Sequence, residues 1–228
     1  MDVAISVVVG GLITILTAIG IEYLRTPRLQ LRIEVPPCDM AYGEAGNRPA
    51  RDVRYLRLKL RNRPLPLGVR WMQRSAALQC RGRITFHHLD GQDVFGRAME
   101  VRWAGSPQPI ASQILDPDTQ EVCFVIQDFA RIADSRVDVY PGEEELLDVA
   151  ARLDNEADCY GWNNESYLYA WRTPRWKLQP GRYLVKVVVS SSGQQCVGIV
   201  RLVNDVQSRS DFRLLEATAE DRAKLSVA

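Results

Sequence analysis

The chain has 228 residues, with 29 basic and 28 acidic side chains and a formal net charge of +1. This balance excludes a global attraction to nucleic acid, and the length suits one sizeable domain or two small ones. Five cysteines, Cys38, Cys80, Cys123, Cys159 and Cys196, form no CxxC pair, which excludes a zinc knuckle and favours free thiols.

The N-terminal segment is the most informative. Val3 to Ile21 is a run of nineteen uncharged residues, eleven of them Val, Ile or Leu. As a helix it would be roughly 28 Å long, close to the thickness of bilayer hydrocarbon. A cleaved signal peptide fits poorly: Asp2 is the one side-chain charge ahead of the run, and Ala18-Ile19-Gly20-Ile21 offers no good cleavage site. The segment has no polar face, which argues against a buried helix of a soluble domain. Residues 1–25 are therefore expected to be a single-pass transmembrane anchor. Arg25, Arg28 and Arg32 follow the run, so the positive-inside rule predicts an inner-membrane protein with its N-terminus outside and its large domain cytoplasmic. Ser6, Gly10, Thr14 and Ala18 lie four apart and form a small-residue stripe suited to helix packing, in a homo-oligomer or against another membrane subunit.

Beyond the anchor, period-two alternation recurs. Leu29, Leu31, Ile33 and Val35 alternate with Gln30, Arg32 and Glu34, and Leu56, Leu58 and Leu60 with Arg57, Lys59 and Arg61. Further strands are predicted at Ala77–Phe86, Glu100–Trp103, Glu121–Ile126, Glu145–Arg152, Tyr183–Ser190, Val197–Val203 and Phe212–Glu216. Turn residues separate them at Pro36-Pro37, Asp90-Gly91, Pro141-Gly142, Pro180-Gly181 and Asn204-Asp205. Residues 217–228 read as a short helix or tail. The expected fold class is all-β, an antiparallel sandwich over residues 26–216 preceded by one transmembrane helix, with inserted loops at 64–74 and 155–176.

Charge is unevenly spread. Arg48 to Arg83 holds eleven basic residues against one acid, and Asp116 to Asp158 holds thirteen acids against three bases. Two readings stand: complementary faces of one fold, or a basic face carrying Arg57, Lys59, Arg61, Arg70 and Arg74 that meets an anionic ligand or lipid head group. The segment from Cys159 to Trp176 concentrates aromatic rings. Either they close a local mini-core, or Trp162, Tyr167, Tyr169 and Trp171 anchor a protein partner.

Catalytic templates find no match. There is no phosphate loop, GxGxxG, HExxH or GxSxG pattern. His87 and His88 are the only histidines, and as strand neighbours they face opposite sides, which excludes a His-rich metal site and predicts a surface or edge position. No cofactor, metal or catalytic residue is expected. Nucleic-acid binding through these arginines and Trp71 lacks any recognised module. Asn164-Glu165-Ser166 fits a glycosylation triplet that a cytoplasmic address would leave unused.

Four stretches resemble the immunoglobulin-like domains of the CARDB type: Tyr55–Asn62, Ala77–Ile84, Val139–Val149 and Leu178–Val187. The resemblance implies an immunoglobulin-like sandwich with a binding or scaffolding role, and it carries no catalytic residue. The expected function is therefore a non-enzymatic, membrane-anchored scaffold or accessory subunit that engages a protein partner or a second copy. The alternative is a ligand-responsive membrane effector that senses an anionic ligand through the basic face.

Overall fold

A computed structural model describes residues 2–42, 51–66, 72–120, 122–128, 135–154, 156–169, 172–205 and 208–226. Helix α1 (Asp2–Arg25) leads into β1 (Leu29–Ile33), β2 (Cys38–Tyr42), β3 (Arg51–Asn62), β4 (Ala77–His87), β5 (Met99–Glu100), β6 (Arg102–Trp103), β7 (Ile110–Leu115) and β8 (Val122–Gln127). Then come β9 (Val137–Val139), β10 (Glu144–Leu153), β11 (Cys159–Gly161), β12 (Lys177–Leu178), β13 (Gly181–Ser191), β14 (Gln194–Asn204), β15 (Arg213–Glu216) and the short helix α2 (Ala219–Ser226).

Apart from β7 and β8, the described strands form two antiparallel sheets. The first runs β1-β3-β10-β11-β12, with β2 also on β3 and β6 also on β10; the second runs β15-β14-β13-β4-β5, with β9 also on β4. The expected all-β sandwich is present. Alternation explains which face each strand buries. Leu56, Leu58 and Leu60 of β3 point inward with Leu147 of β10, and they meet Ile84, Phe86, Val185, Val187 and Val189 from the second sheet. Burying one such side chain fully is worth about 1.5–3 kcal/mol. Glycines sit where a neighbour leaves no room for a side chain, Gly82 beside the chain continuing from its pairing strand β5 and Gly198 facing β1 of the opposite sheet. A Cβ on Gly82 would lie 2.6 Å from Val101 Cγ2, and one on Gly198 would lie 2.9 Å from Leu31 Cδ1.

Register along β10 changes once. Asp148 faces Arg57 and Ala150 faces Leu56, so Val149 is the extra residue of a bulge. Val149 and Ala150 both enter the main core, while Ala151 and Leu153 lie with Val53 and Tyr55 in a second, smaller cluster. The bulge thus gives the first sheet a partly apolar outer face that needs a cover.

Buried polar side chains fix the loops. Asn62 Nδ2 donates to the carbonyls of Ser75 (3.0 Å) and Val139 (3.1 Å), and its Oδ1 accepts from the Arg28 amide at 3.2 Å. Arg152 Nη1 donates to Asn204 Oδ1 at 2.9 Å, and its guanidinium lies 4.8 Å from the Phe212 ring centroid.

Among the described residues, strands β7 and β8 pair only with each other. Helix α1 stands apart from the sandwich: Val9, Leu12, Ile13, Ile15, Leu16 and Ile19 are all exposed. Among the described residues, no helix is long and apolar enough to cross a membrane. The sequence-based expectation of a transmembrane helix is to that extent not supported. The described side chains of α1 begin at Val9, which leaves a shorter apolar stretch than Val3–Ile21.

Candidate functional site

Where its side chains are described, the aromatic segment is folded against the sheet rather than laid out as an exposed patch. Trp162, only 2% exposed, packs with Val53, Tyr55, Ala151 and Leu153. Its ring meets Tyr55 edge-on at 5.1 Å and Tyr167 at 5.8 Å between centroids. The segment folds back over the apolar half of the first sheet's outer face, and Trp162 is its plug. This corrects the expectation that Trp162 anchors a partner, because a residue already covered presents no contact area. Tyr167 is half-buried in the same cluster. Trp171 lies outside the described residues, as does the Tyr169 side chain.

The other half of that face is charged. Asp148 Oδ1 accepts from Arg57 Nε at 2.6 Å, and Oδ2 lies 3.7 Å from Arg102 Nε. Asp148 is 2% exposed. Burial pushes its carboxyl up from the ordinary value, against the pull of Arg57 and Arg102. For Arg57, burial is the largest single effect and acts downward, but the charge and hydrogen bond of Asp148, with smaller contributions from Cys38 and Glu34, together hold the guanidinium above its ordinary value. With two guanidinium groups flanking one carboxylate, we read the cluster as ionised. Arg102 Nη1 also donates to Asn164 Oδ1 at 3.2 Å and Nη2 to the Ser106 carbonyl at 2.9 Å. Its guanidinium lies 5.4 Å from the Tyr167 ring centroid. This cluster fastens the aromatic cover to the sheet, and the partners of Asp148 leave it no role as a free acid or base.

The basic block does not form one open face. Arg61 and Lys59 lie 3.6 Å and 3.8 Å from Glu144, and Arg54 Nε lies 2.8 Å from Asp39. Strand β3 carries the bases and its neighbour β10 the acids, so the two opposite charge runs meet as complementary strands. Arg57 is mostly covered, and Arg74 is 5% exposed. Arg70 lies outside the described residues. The grouping of Arg57, Lys59, Arg61, Arg70 and Arg74 as one ligand-facing surface is therefore corrected for the residues that are described.

Other candidates resolve into structural roles. His87 is buried rather than at the surface, with Nδ1 3.1 Å from the Gly91 carbonyl and Nε2 2.8 Å from Thr85 Oγ1. The His88 ring lies against Tyr183, with centroids 5.9 Å apart and the planes tilted by 41°. Burial pushes the Cys80, Cys159 and Cys196 thiols up, which disfavours the reactive thiolate. Among the described residues, no group of His, Cys, Asp and Glu is placed to hold a metal ion. On α1, Gly10, Thr14 and Ala18 are exposed, and Thr14 Oγ1 donates to the Gly10 carbonyl at 2.9 Å. A Cβ on Gly10 would meet nothing within 4 Å. The Ser6 side chain lies outside the described residues.

Two features were not singled out from sequence. One is a cleft of about 520 Å³ at the edge between β1 and β15, walled by Ile33, Val35, Leu56, Arg57, Arg213 and Leu214. Its lining is drawn from residues far apart in the chain, so no local pattern marks it. The other is the β7–β8 hairpin, where Ile114, Leu115 and Ile126 are exposed. Its signal is the uninterrupted apolar run Val122-Cys123-Phe124-Val125-Ile126, read from sequence as one more sandwich strand. The chain matches no protein-family model, no curated protein and no solved structure.

Proposed function

We propose that this protein is a non-enzymatic, membrane-anchored scaffold or accessory subunit. In this reading α1 holds the chain in the inner membrane, and an immunoglobulin-like sandwich of the CARDB type engages a protein partner on the cytoplasmic side. The observation that carries it is α1 itself. Its apolar side chains from Val9 to Ile19 are exposed, it packs along no strand among the described residues, and no α1 residue enters the described core of the sandwich. Such a helix is costly in water and at home in lipid. The full uncharged run Val3–Ile21 supplies the length, and Arg25, Arg28 and Arg32 supply the orientation.

The partner contact moves from the aromatic segment to the β7–β8 hairpin. A two-stranded ribbon is marginal in isolation, and one with exposed aliphatic side chains gains from a second surface. The mass and composition of the native particle, extracted with α1 intact in mild detergent, test this. A particle holding a stoichiometric second protein, or more than one copy of this chain, is expected. Recovery of a lone monomer with a full lipid and detergent complement would contradict the scaffold role.

A further inference from the structure

Among the described residues, arginines without acidic partners gather where α1 meets the sandwich. Four bonds stitch this junction together. The Ser75 amide donates to the Arg25 carbonyl (2.7 Å), the Arg63 amide to the Arg28 carbonyl (2.9 Å), and the Arg28 amide to Asn62 Oδ1 (3.2 Å). Arg74 Nη1 donates to the Thr26 carbonyl at 2.5 Å. Residues 25–28, 62–63 and 74–75 thereby form one collar.

Arg25, Arg28 and Arg63 are exposed, and Arg74 is buried. Among the described residues, none of the four makes an ion pair with a carboxylate, in contrast to Arg57, Lys59 and Arg61. Arg74 Nε is buried without a hydrogen-bond partner. Burial, with repulsion from Arg28 and Arg63, pushes the Arg74 guanidinium below its ordinary value. The desolvated Arg74 guanidinium, repelled by the exposed charges of Arg28 and Arg63, calls for a counter-charge. Beside them opens a shallow pocket of about 540 Å³, walled by Pro27, Arg28, Arg63, Gln194 and Gln195.

We propose that this collar binds a phosphate-bearing anion, and that the anion is a phospholipid head group. The second part rests on the membrane-anchored reading above. Guanidinium forks match phosphate oxygens two at a time, and the glutamine side chains add neutral donors. The collar begins at the last residue of α1, the depth at which an anchored chain meets lipid head groups. Tyr23, 5.2 Å below the Arg28 guanidinium, is the aromatic expected at that level.

The test is calorimetric titration of the full chain in non-ionic detergent with three probes: dihexanoyl phosphatidic acid, dihexanoyl phosphatidylcholine and inorganic phosphate. The variant Arg28→Ala/Arg63→Ala removes two exposed charges and spares buried Arg74. Arg81→Ala/Arg83→Ala removes the same charge from β4. Binding of the phosphatidic acid probe is expected, with a loss of roughly tenfold or more in the first variant and none in the second. Preference for that probe over inorganic phosphate supports a lipid source. Equal affinity for both keeps the collar as a phosphate site and overturns the lipid source. Equal affinity for the phosphatidic acid and phosphatidylcholine probes, or no loss in Arg28→Ala/Arg63→Ala, overturns the site. Failure of the anchor reading has a separate signature: the full chain would stay monodisperse in buffer without detergent, where the phosphate titration still reads the collar.

Discussion

Asp221 shows how single residues secure this fold. It is the third residue of α2, and its Oδ2 accepts from the Thr218 amide at 2.8 Å, while its own amide donates to Thr218 Oγ1 at 3.3 Å. That reciprocal cap satisfies two amides at the helix start. Arg201 of β14 then grips the same carboxylate, with Nη2 2.8 Å from Oδ1. The Arg201 hydrogen bonds come first among the forces holding the Asp221 carboxyl far below its ordinary value, with the Thr218 bonds adding to them. A carboxyl whose folded pKa is depressed stabilises above its unfolded pKa, near 3.9, and the gain is lost as pH falls through the folded value. Asp221→Asn is therefore expected to lower stability by about 1 kcal/mol at neutral pH. Urea unfolding of the two chains should converge as pH drops below about 4. A difference that stayed constant down to pH 2 would refute the assigned role of this carboxylate.

At the scale of elements, the segment from Cys159 to Trp176 has the most to teach. Trp162 fills the outer face that the β10 bulge makes apolar, so its removal is a core truncation. Trp162→Ala is expected to cost about 3–5 kcal/mol, read as a lower urea midpoint with an unchanged slope. Full stability combined with loss of a partner would restore the interface reading. Composition alone could not settle this, because a dense aromatic run looks alike as plug and as anchor. The deciding fact is the register of β10, set by a bulge at Val149 that no turn residue announces. Strands β1 and β3 were legible because they alternate cleanly, as Leu56, Leu58 and Leu60 do, and β10, β13 and β14 because apolar runs are bounded by turn residues. The short strands β2, β9, β11 and β12 were not: β9, β11 and β12 have only two or three residues each, and Cys38–Tyr42 of β2 breaks its alternation at Ala41. The opposed charge runs were visible in sequence. Their pairing across β3 and β10 needed the topology, because Arg57 and Asp148 are ninety-one residues apart.

For the molecule as a whole, two parts treat their apolar side chains differently. The sandwich buries its apolar side chains and pairs many of its charges, whereas α1 leaves its apolar side chains uncovered. That contrast was readable from the uncharged run at the N-terminus. The collar of arginines at the junction was not, because Arg28, Arg63 and Arg74 converge only through long-range hydrogen bonds. The central claim is that lipid covers α1. Its most direct test is alkaline carbonate extraction of membranes carrying the full chain, beside a Leu12→Arg/Leu16→Arg variant. We expect the native chain to stay with the membrane pellet and the variant to be released in folded form. Release of the native chain by carbonate would contradict the anchor, and with it the placement of the sandwich at a membrane.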